Sequence, residues 1–435
     1  MKNLRIDIVL LLAVLALVGF GLVIIYSSSA AYAEARGLPD SFYLVHHMKK
    51  VIIGFVAFLI GLSLPYKTWE KWARPMMFGC IALLVFVVAS GMVGSVNGAR
   101  RWVFGIQPSE LAKISLVFAL ARLLAEKSEI MDQFGRGFLA SMALSAITFL
   151  LILKQPNYST AATVMAITVA LVFAGGARIA HLAGLAAMGL PALGVLMVSS
   201  PYRLKRVMAF LHPDDNPASS YQSLQALVSL GNGGLFGTGL GTSTQKLGYL
   251  PMPFTDTIFS ILGEEMGLLG TSLCLILFAV VIWRGLRVSF LCPDCFGSLV
   301  ALGIVVSLAV NVIMHVGVCA KFFPTTGQPL PFLSYGGTSL VVGLFAMGVL
   351  LNISGHSLET MPESWRSNPK KWQMLAGAAA KNGVPGGAKP PKASRAQVAP
   401  TVGPNIPGPV GHRARPGTRR PEGALTKGGR GGSRP

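Results

Sequence analysis

The sequence predicts an all-α, polytopic membrane protein, and three observations carry the prediction. Hydrophobic residues make up 52% of the 435 positions and charged ones only 12%, where a soluble chain carries about a quarter of its residues as charges. Mean hydropathy is +0.59. The apolar residues fall in uncharged runs of roughly 17 to 25, the length that crosses lipid as a helix, rather than at short amphipathic periods. The five cysteines are an odd number and scattered, with Cys80, Cys274 and Cys319 in or beside apolar runs, so no disulfide framework is implied.

Met1 to Asp7 is a short basic leader before the uncharged run Ile8 to Ala33. That run is too long for a signal-peptide core and lacks a small-residue cleavage site, so it reads as a retained first helix. Further apolar segments are expected at about 51–64, 75–93, 109–124, 137–153, 160–174, 182–199, 257–283, 297–318 and 336–354. The ten spans rise about 1.5 Å per residue, enough to cross roughly 30 Å of hydrocarbon with help from flanking Lys and Arg on the shorter ones. An even count puts both termini on one side. Residues 1–355 then form the membrane domain, with 201–255 as a large external loop between the seventh and eighth helices. Residues 356–435 hold 14 Lys and Arg against 3 Glu with much Gly and Pro, a composition that predicts a disordered basic tail.

The positive-inside rule gives no orientation without that tail, because the loops on either side carry about eleven basic residues each. With a cytoplasmic tail, Arg100, Arg101, Lys154, Arg203, Lys205, Arg206 and Lys246 lie outside, against the usual bias. An anionic group at the outer surface would account for them. A polyprenyl pyrophosphate head group suits guanidinium forks; the alternative for each residue is an anchor on lipid phosphates.

The stretch from Gln245 to Gly270 places Asp256 at the mouth of an apolar segment and Glu264 and Glu265 inside it. An ionised side chain in lipid costs about 2.5 to 3.5 kcal/mol, which makes each carboxylate a functional-site hypothesis. On a helix starting near Thr255, about 100° per residue brings Glu264 within about 80° of Asp256 and turns Glu265 nearly opposite. Glu264 is therefore expected to line a cavity or to pair with Lys113, and Glu265 to pack against another helix. Glu110, three residues before Lys113, offers a competing local partner. The glycines at 231, 233, 234, 237, 239 and 241 permit positive φ and close backbone approach, without the Gly-Lys-Ser/Thr ending of a phosphate-binding loop.

Other signals take a plainer reading. Cys292 and Cys295 have zinc spacing but supply two ligands where a structural site needs four. His46, His47 and His315 are expected as packing or interfacial residues, Asp214 and Asp215 as a solvated turn. Asn157-Tyr158-Ser159 matches a glycosylation sequon without a functional reading here.

Val96-Asn97-Gly98-Ala99-Arg100-Arg101-Trp102, then Gln107-Pro108-Ser109-Glu110-Leu111-Ala112-Lys113, resemble the SEDS family of membrane glycosyltransferases, and most of all its division branch. The likeness covers about residues 8 to 356. It extends through Tyr202-Arg203 with Arg206, Tyr221-Gln222, the glycine run 231–241, Thr255-Asp256, Glu264-Glu265-Met266-Gly267 and Pro329 to Gly337. The resemblance implies ten transmembrane helices, cytoplasmic termini, and polymerisation of lipid II into β-1,4 glycan strands on the outer face of the cytoplasmic membrane during division. It also implies a class B penicillin-binding protein, an FtsI-like transpeptidase, as partner, with other divisome membrane proteins nearby. A divalent cation, Mg or Mn, is expected, with no organic cofactor.

An α-linked diphosphate donor and a β-linked product call for inversion, and so for one base and a stabilised leaving group. Asp256 is the expected base. Partial desolvation would raise its pKa from about 3.9 toward neutrality. Arg100, Arg101, Lys113, Arg203, Arg206 and Lys246 are the candidate pyrophosphate-binding cations, and Glu110, Glu264, Ser334 and Tyr335 the supporting residues; metal ligands are unassigned. The chain departs from the family pattern at Met252 and Phe254, where an acidic residue and a histidine are common, and at Asn157, where an aspartate is usual. A lipid II flippase and a non-catalytic division scaffold are the alternative functions.

Overall fold

The computed structural model describes residues 6–359 apart from 90–94, 97–98, 101, 104, 128–130, 132, 156, 199–200 and 216. Arg101 and the basic tail therefore lie outside the described residues, as do the side chains of Arg100 and Arg203. The described chain is nearly all helix: α1 (Ile8–Glu34), α2 (Phe42–Ser63), α3 (Tyr66–Ala89), α4 (Pro108–Glu126), α5 (Ala140–Lys154), α6 (Tyr158–Ala174), α7 (Ile179–Val198), α8 (Pro201–Leu211), α9 (Pro217–Asn232), α10 (Ile258–Leu291), α11 (Cys295–Cys319) and α12 (Thr338–Glu359). A two-residue hairpin, Ser95–Val96 with Ala99–Arg100, precedes α4, and a π-helical turn, Phe134–Leu139, leads into α5.

The described part of each expected span falls mainly on one of these helices. Among the described residues seven helices are long and apolar enough to cross a membrane, and Tyr158–Ala174 and Ile179–Gly189 are shorter apolar helices. α4 differs for a physical reason. It carries Glu110, Lys113, Arg122 and Glu126, yet from Pro108 to Ala121 every residue but Leu111 is buried. It is the enclosed centre of the bundle, with α3, α6 and α11 packed around it. The second and third helices begin earlier than expected, at Phe42 and Tyr66, because aromatic and lysine residues continue the helical turn past the uncharged run.

Two ends can be told apart. At the proximal end, which holds the start of α1 and the end of α12, Asp7 caps α1 by accepting from Leu10 N at 3.1 Å and receives Arg284 in a two-pronged pair, 2.8 Å on each prong. At the distal end Ser27 of α1 meets Glu265 of α10 at 2.6 Å. Ser27 is about 30 Å along α1 from Asp7, close to one hydrocarbon thickness. Ser27 and Glu265 therefore lie about one hydrocarbon thickness from the proximal end.

Candidate functional site

Two polar clusters occupy the distal end. The first is a knot around α10, which is broken at Gly267 (φ 63°, ψ −160°). The glycine-rich segment after α9 fills the break: Thr238 N donates to Glu264 O at 2.9 Å, Gly239 N to Glu265 O at 3.0 Å, and Leu268 N returns a bond to Gly234 O at 2.9 Å. The orphaned backbone groups of both half-helices thus find partners, as a break at membrane depth requires. Side chains have no room here, since a Cβ on Gly233 would run into Gly263 O and one on Gly237 into Glu265 O. The glycine density serves backbone-to-backbone packing.

The same segment encloses both glutamates. Glu264 is 1% exposed and accepts from Ser229 Oγ (3.0 Å), Ser243 Oγ (2.5 Å), Thr244 Oγ1 (2.8 Å) and Thr244 N (3.2 Å). Glu265, also 1% exposed, accepts from Ser27 Oγ and from Lys246 Nζ at 2.7 Å, and Lys246 reaches Ser27 O at 3.0 Å. Three expectations change. Glu264 does not meet Lys113, which pairs with Glu110 at 2.8 Å with both side chains buried; the local partner wins because it lies one turn away on the same helix. Lys246 is not an open phosphate-binding cation but the buried partner of Glu265. The helical-wheel argument fails because Asp256 precedes the helix: α10 begins at Ile258 with Thr257 as its cap.

The second cluster gathers around Asp256 and the connection between α11 and α12, residues 320–337. Asp256 is partly exposed. A Cβ on Gly327 would lie 3.4 Å from its Oδ2, and Cys319 Sγ approaches its carbonyl at 4.0 Å. The connection is tied on every side. Arg206 of α8 donates to Thr325 O at 2.9 Å, Ser159 to Thr326 O at 3.3 Å, Gln328 Nε2 to Thr160 Oγ1 at 3.2 Å, and His315 Nδ1 lies 2.8 Å from Gln328 O. Ser334 Oγ accepts from Leu330 N at 2.7 Å, Tyr335 N donates to Phe254 O at 2.9 Å, and Gln107 N to Thr338 Oγ1 at 3.0 Å. Of the residues expected at a site, Asp256, Arg206, Ser334 and Tyr335 come together here.

The departures at Asn157 and Phe254 have structural consequences at this cluster. Asn157 caps α6, accepts from Thr160 and donates to Ser109 Oγ at 3.1 Å, so the amide joins the starts of α4 and α6. Phe254 is 1% exposed and packs edge-on against Tyr32 and Tyr335, with centroids 5.2 and 5.5 Å away. Burial, then the neighbouring Tyr43, raises the Tyr335 phenol above its ordinary range, so it keeps its proton near neutral pH. Lys113 and Glu110 lie at the edge of a cavity of about 50 Å³ between α4, α11 and α12, room for a few waters.

The sequence reading missed Lys50. It lies just before the second apolar run, and its Nζ sits 3.7 Å above the centre of the Tyr335 ring. The signal was a basic pair that the helical period carries into the packed face of α2. Among the described residues no group of three or more His, Cys, Asp or Glu side chains is placed to hold a metal. Cys292 is buried and Cys295 exposed, and neither is in a disulfide; Asp214 and Asp215 are exposed in a turn.

Fold and site together define a multi-pass helical membrane protein with a carboxylate, an arginine and a tightly tied loop at one end. The chain belongs to the FtsW/RodA/SpoVE family, described as cell cycle protein, whose model matches residues 8–359; this is the SEDS family of the sequence resemblance. It is 41% identical over 356 residues to stage V sporulation protein E of Bacillus subtilis, covering 81% of this chain and 97% of that protein. It is 40% identical over 353 residues to a probable peptidoglycan glycosyltransferase FtsW of Trichlorobacter lovleyi, covering 80% and 93%. Among solved structures it is similar to the rod shape determining protein RodA of Thermus thermophilus, with a TM-score of 0.61, 27% identity and coverage of 81% and 98%. It is also similar to a chain of the structure described as "Structural coordination of polymerization and crosslinking by a peptidoglycan synthase complex", with a TM-score of 0.68, 27% identity and coverage of 81% and 99%.

Proposed function

We propose that this chain is a peptidoglycan glycosyltransferase that polymerises lipid II into β-1,4 glycan strands at the outer face of the cytoplasmic membrane during division, with Asp256 as general base. The observation that carries the reading is the position of Asp256. It is a partly exposed carboxylate at the distal end, beside Gly327, while both nearby glutamates are fully buried. The names of relatives support the enzyme class. The distal end is the outer face in this reading, the termini are cytoplasmic, and residues 356–435 are a cytoplasmic tail beyond the membrane domain, 1–355.

Asp256 would take the proton of the acceptor 4-hydroxyl as that oxygen attacks the anomeric carbon. The bond to diphosphate breaks on the opposite side, which inverts the configuration. General-base assistance of this kind is worth about 10² to 10⁴ in rate. Arg206, with five donors on its fork, is the described arginine closest to the loop beside Asp256 and is the candidate to stabilise the departing diphosphate, with Arg100, Arg101 and Arg203 as further candidates from the sequence. A divalent cation of the Mg or Mn kind would be held chiefly by diphosphate oxygens and one carboxylate, the usual habit of Mg, and would neutralise charge on the leaving group. The expected partner is a class B penicillin-binding protein of the FtsI type, acting with other divisome membrane proteins at the septum.

The test is polymerisation of lipid II by the purified full-length chain with its cognate penicillin-binding protein. Asp256→Asn should lose about 10²- to 10⁴-fold in rate, a barrier increase of roughly 3 to 5 kcal/mol, while membrane insertion and partner binding persist. Full activity of that variant overturns the reading. Rescue of division by Asp256→Ala would favour the scaffold alternative, and translocation of labelled precursor by reconstituted vesicles the flippase.

A further inference from the structure

α2 presents two faces. Ile52, Ile53, Phe55, Val56, Leu59 and Ile60 are exposed and make the side turned to lipid. His47, Gly54, Phe58 and Gly61 are buried and recur at steps of three and four, the stripe of a packed helix. That stripe lies on α12: a Cβ on Gly54 would meet Leu344 Cδ1 at 2.7 Å, and one on Gly61 would meet Phe345 O at 2.6 Å. Lys50, three residues after His47 and four before Gly54, belongs to the packed stripe. Its neighbour Lys49 is exposed.

Lys50 is half-buried, with its ammonium over the Tyr335 ring. A Cβ on Gly337, the residue before α12, would lie 3.9 Å from its Cε. Among the described residues no carboxylate pairs with it. It sits about 20 Å along α2 from Leu64, short of the roughly 30 Å that hydrocarbon spans. An ammonium at that depth needs an anionic partner, and a ring face compensates only part of its lost hydration. A second group points the same way. His47 Nδ1 is buried without a hydrogen-bond partner, one turn distal of Lys50, and its ring centre is 5.7 Å from that of Tyr335. The N-terminus of α12 adds partial positive charge beside them.

We propose that Lys50 binds the diphosphate of a polyprenyl-linked substrate, an assignment that rests on the glycosyltransferase reading above. A phosphate ester is the shared chemistry, and ordinary phospholipid could supply one. The stripe, however, faces α12 and not lipid, so a two-chain phospholipid at the lipid face is poorly placed to reach it, whereas a terminal diphosphate on a single prenyl chain is the slimmer group and would approach it beside the 320–337 connection. The reaction also joins two diphosphate carriers and needs two anion positions. Arg206 bonds the Thr325 end of that connection, Lys50 covers Tyr335 at the other end, and Gly327, which packs on Asp256, lies between them in sequence.

The test titrates a sugar-free polyprenyl diphosphate into full-length protein in nanodiscs of phosphatidylcholine alone, comparing wild type with Lys50→Gln, Lys50→Arg and Lys49→Gln. Lys50→Gln should weaken binding by about tenfold or more, the loss of one charge-assisted contact. Lys50→Arg should recover most of it, and Lys49→Gln should match wild type. A parallel titration with phosphatidylglycerol distinguishes the sources: equal weakening there by Lys50→Gln marks an ordinary lipid anchor and overturns the proposal, as does unchanged diphosphate binding. Should Lys50→Gln fail to fold, Lys50→Met keeps the side-chain length, suits the apolar stripe and carries the same comparison. Asp256→Asn should bind the diphosphate like wild type, so an active Asp256→Asn would sink the base assignment while leaving the binding result to judge Lys50.

Discussion

The knot around Glu264 and Glu265 and the cluster around Asp256 lie within ten residues of each other in sequence, yet they handle charge in opposite ways. In the knot both carboxylates are 1% exposed, and each is met by hydroxyls, a backbone N–H or a lysine from a loop folded over it. Around Asp256 the tied groups are mostly backbone carbonyls of the 320–337 connection, held by Arg206, Ser159 and His315. The carboxylate itself stays partly exposed. A buried charge with a full set of partners holds a structure together; a rigid frame around an accessible carboxylate presents it to something else. Acidity and depth, the two properties a sequence shows, are common to all three residues. Solvent exposure in the folded chain separates them.

The sharpest way to break that comparison is to exchange what each variant costs. Asp256→Asn is expected to remove most of the activity and leave the thermal melting point in detergent within about 2 °C of wild type, since a site at the edge of the frame contributes little to packing. A large drop in melting point would move Asp256 into the structural class.

In the knot the costs should reverse. Lys246→Met leaves Glu265 buried without its cation, which is expected to destabilise by about 3 to 5 kcal/mol. Adding Glu265→Leu should recover most of that loss, because removing both charges of a buried pair is often nearly neutral. Melting curves of the two single variants and the double variant measure this directly. If Lys246→Met melts like wild type but fails to bind diphosphate, Lys246 belongs with the substrate cations after all.

Gly237→Ala probes the same knot through its backbone. Gly237 has φ of 80°, and a Cβ there meets Glu265 O. Strain of this kind costs about 1 to 3 kcal/mol, and the loop should be released more than the helices: limited proteolysis is expected to cut residues 231–246 faster in the variant, with the other cleavage sites unchanged. Equal protection would mean that the close contact relaxes without cost.

Much of the architecture was legible because lipid simplifies the rules. Uncharged runs of helical length marked the bundle, and the charge-poor segments landed on the helices. What escaped was decided by contacts distant in sequence. Lys246 is 19 residues from Glu265 and 219 from Ser27, so neither helical period nor charge count could join them. Lys113 and Glu110 were readable as a local pair, and the structure chose it. The helical wheel misled at Asp256 because it assumed the helix began at Thr255, whereas Thr257 is the cap. Lys50, at the edge of an apolar run, carries no local sign of the face it occupies. Only the packed stripe His47–Gly54–Phe58–Gly61 shows which face it occupies.

The smallest expected effect tests whether the frame around Asp256 is itself part of the site. Ser334 Oγ accepts one bond, from Leu330 N, closing the turn that leads to Tyr335. Ser334→Ala leaves that buried N–H without its acceptor, a loss of about 1 to 3 kcal/mol, which should move the melting point of a chain of this size by only a few degrees. If the connection serves to hold Tyr335 and Gly327 against Asp256, the same variant should lower the polymerisation rate by several-fold, more than its effect on stability explains. A rate change no larger than the stability change predicts would place the connection with the knot, as scaffolding, and leave Asp256 and its cations as the whole of the working surface.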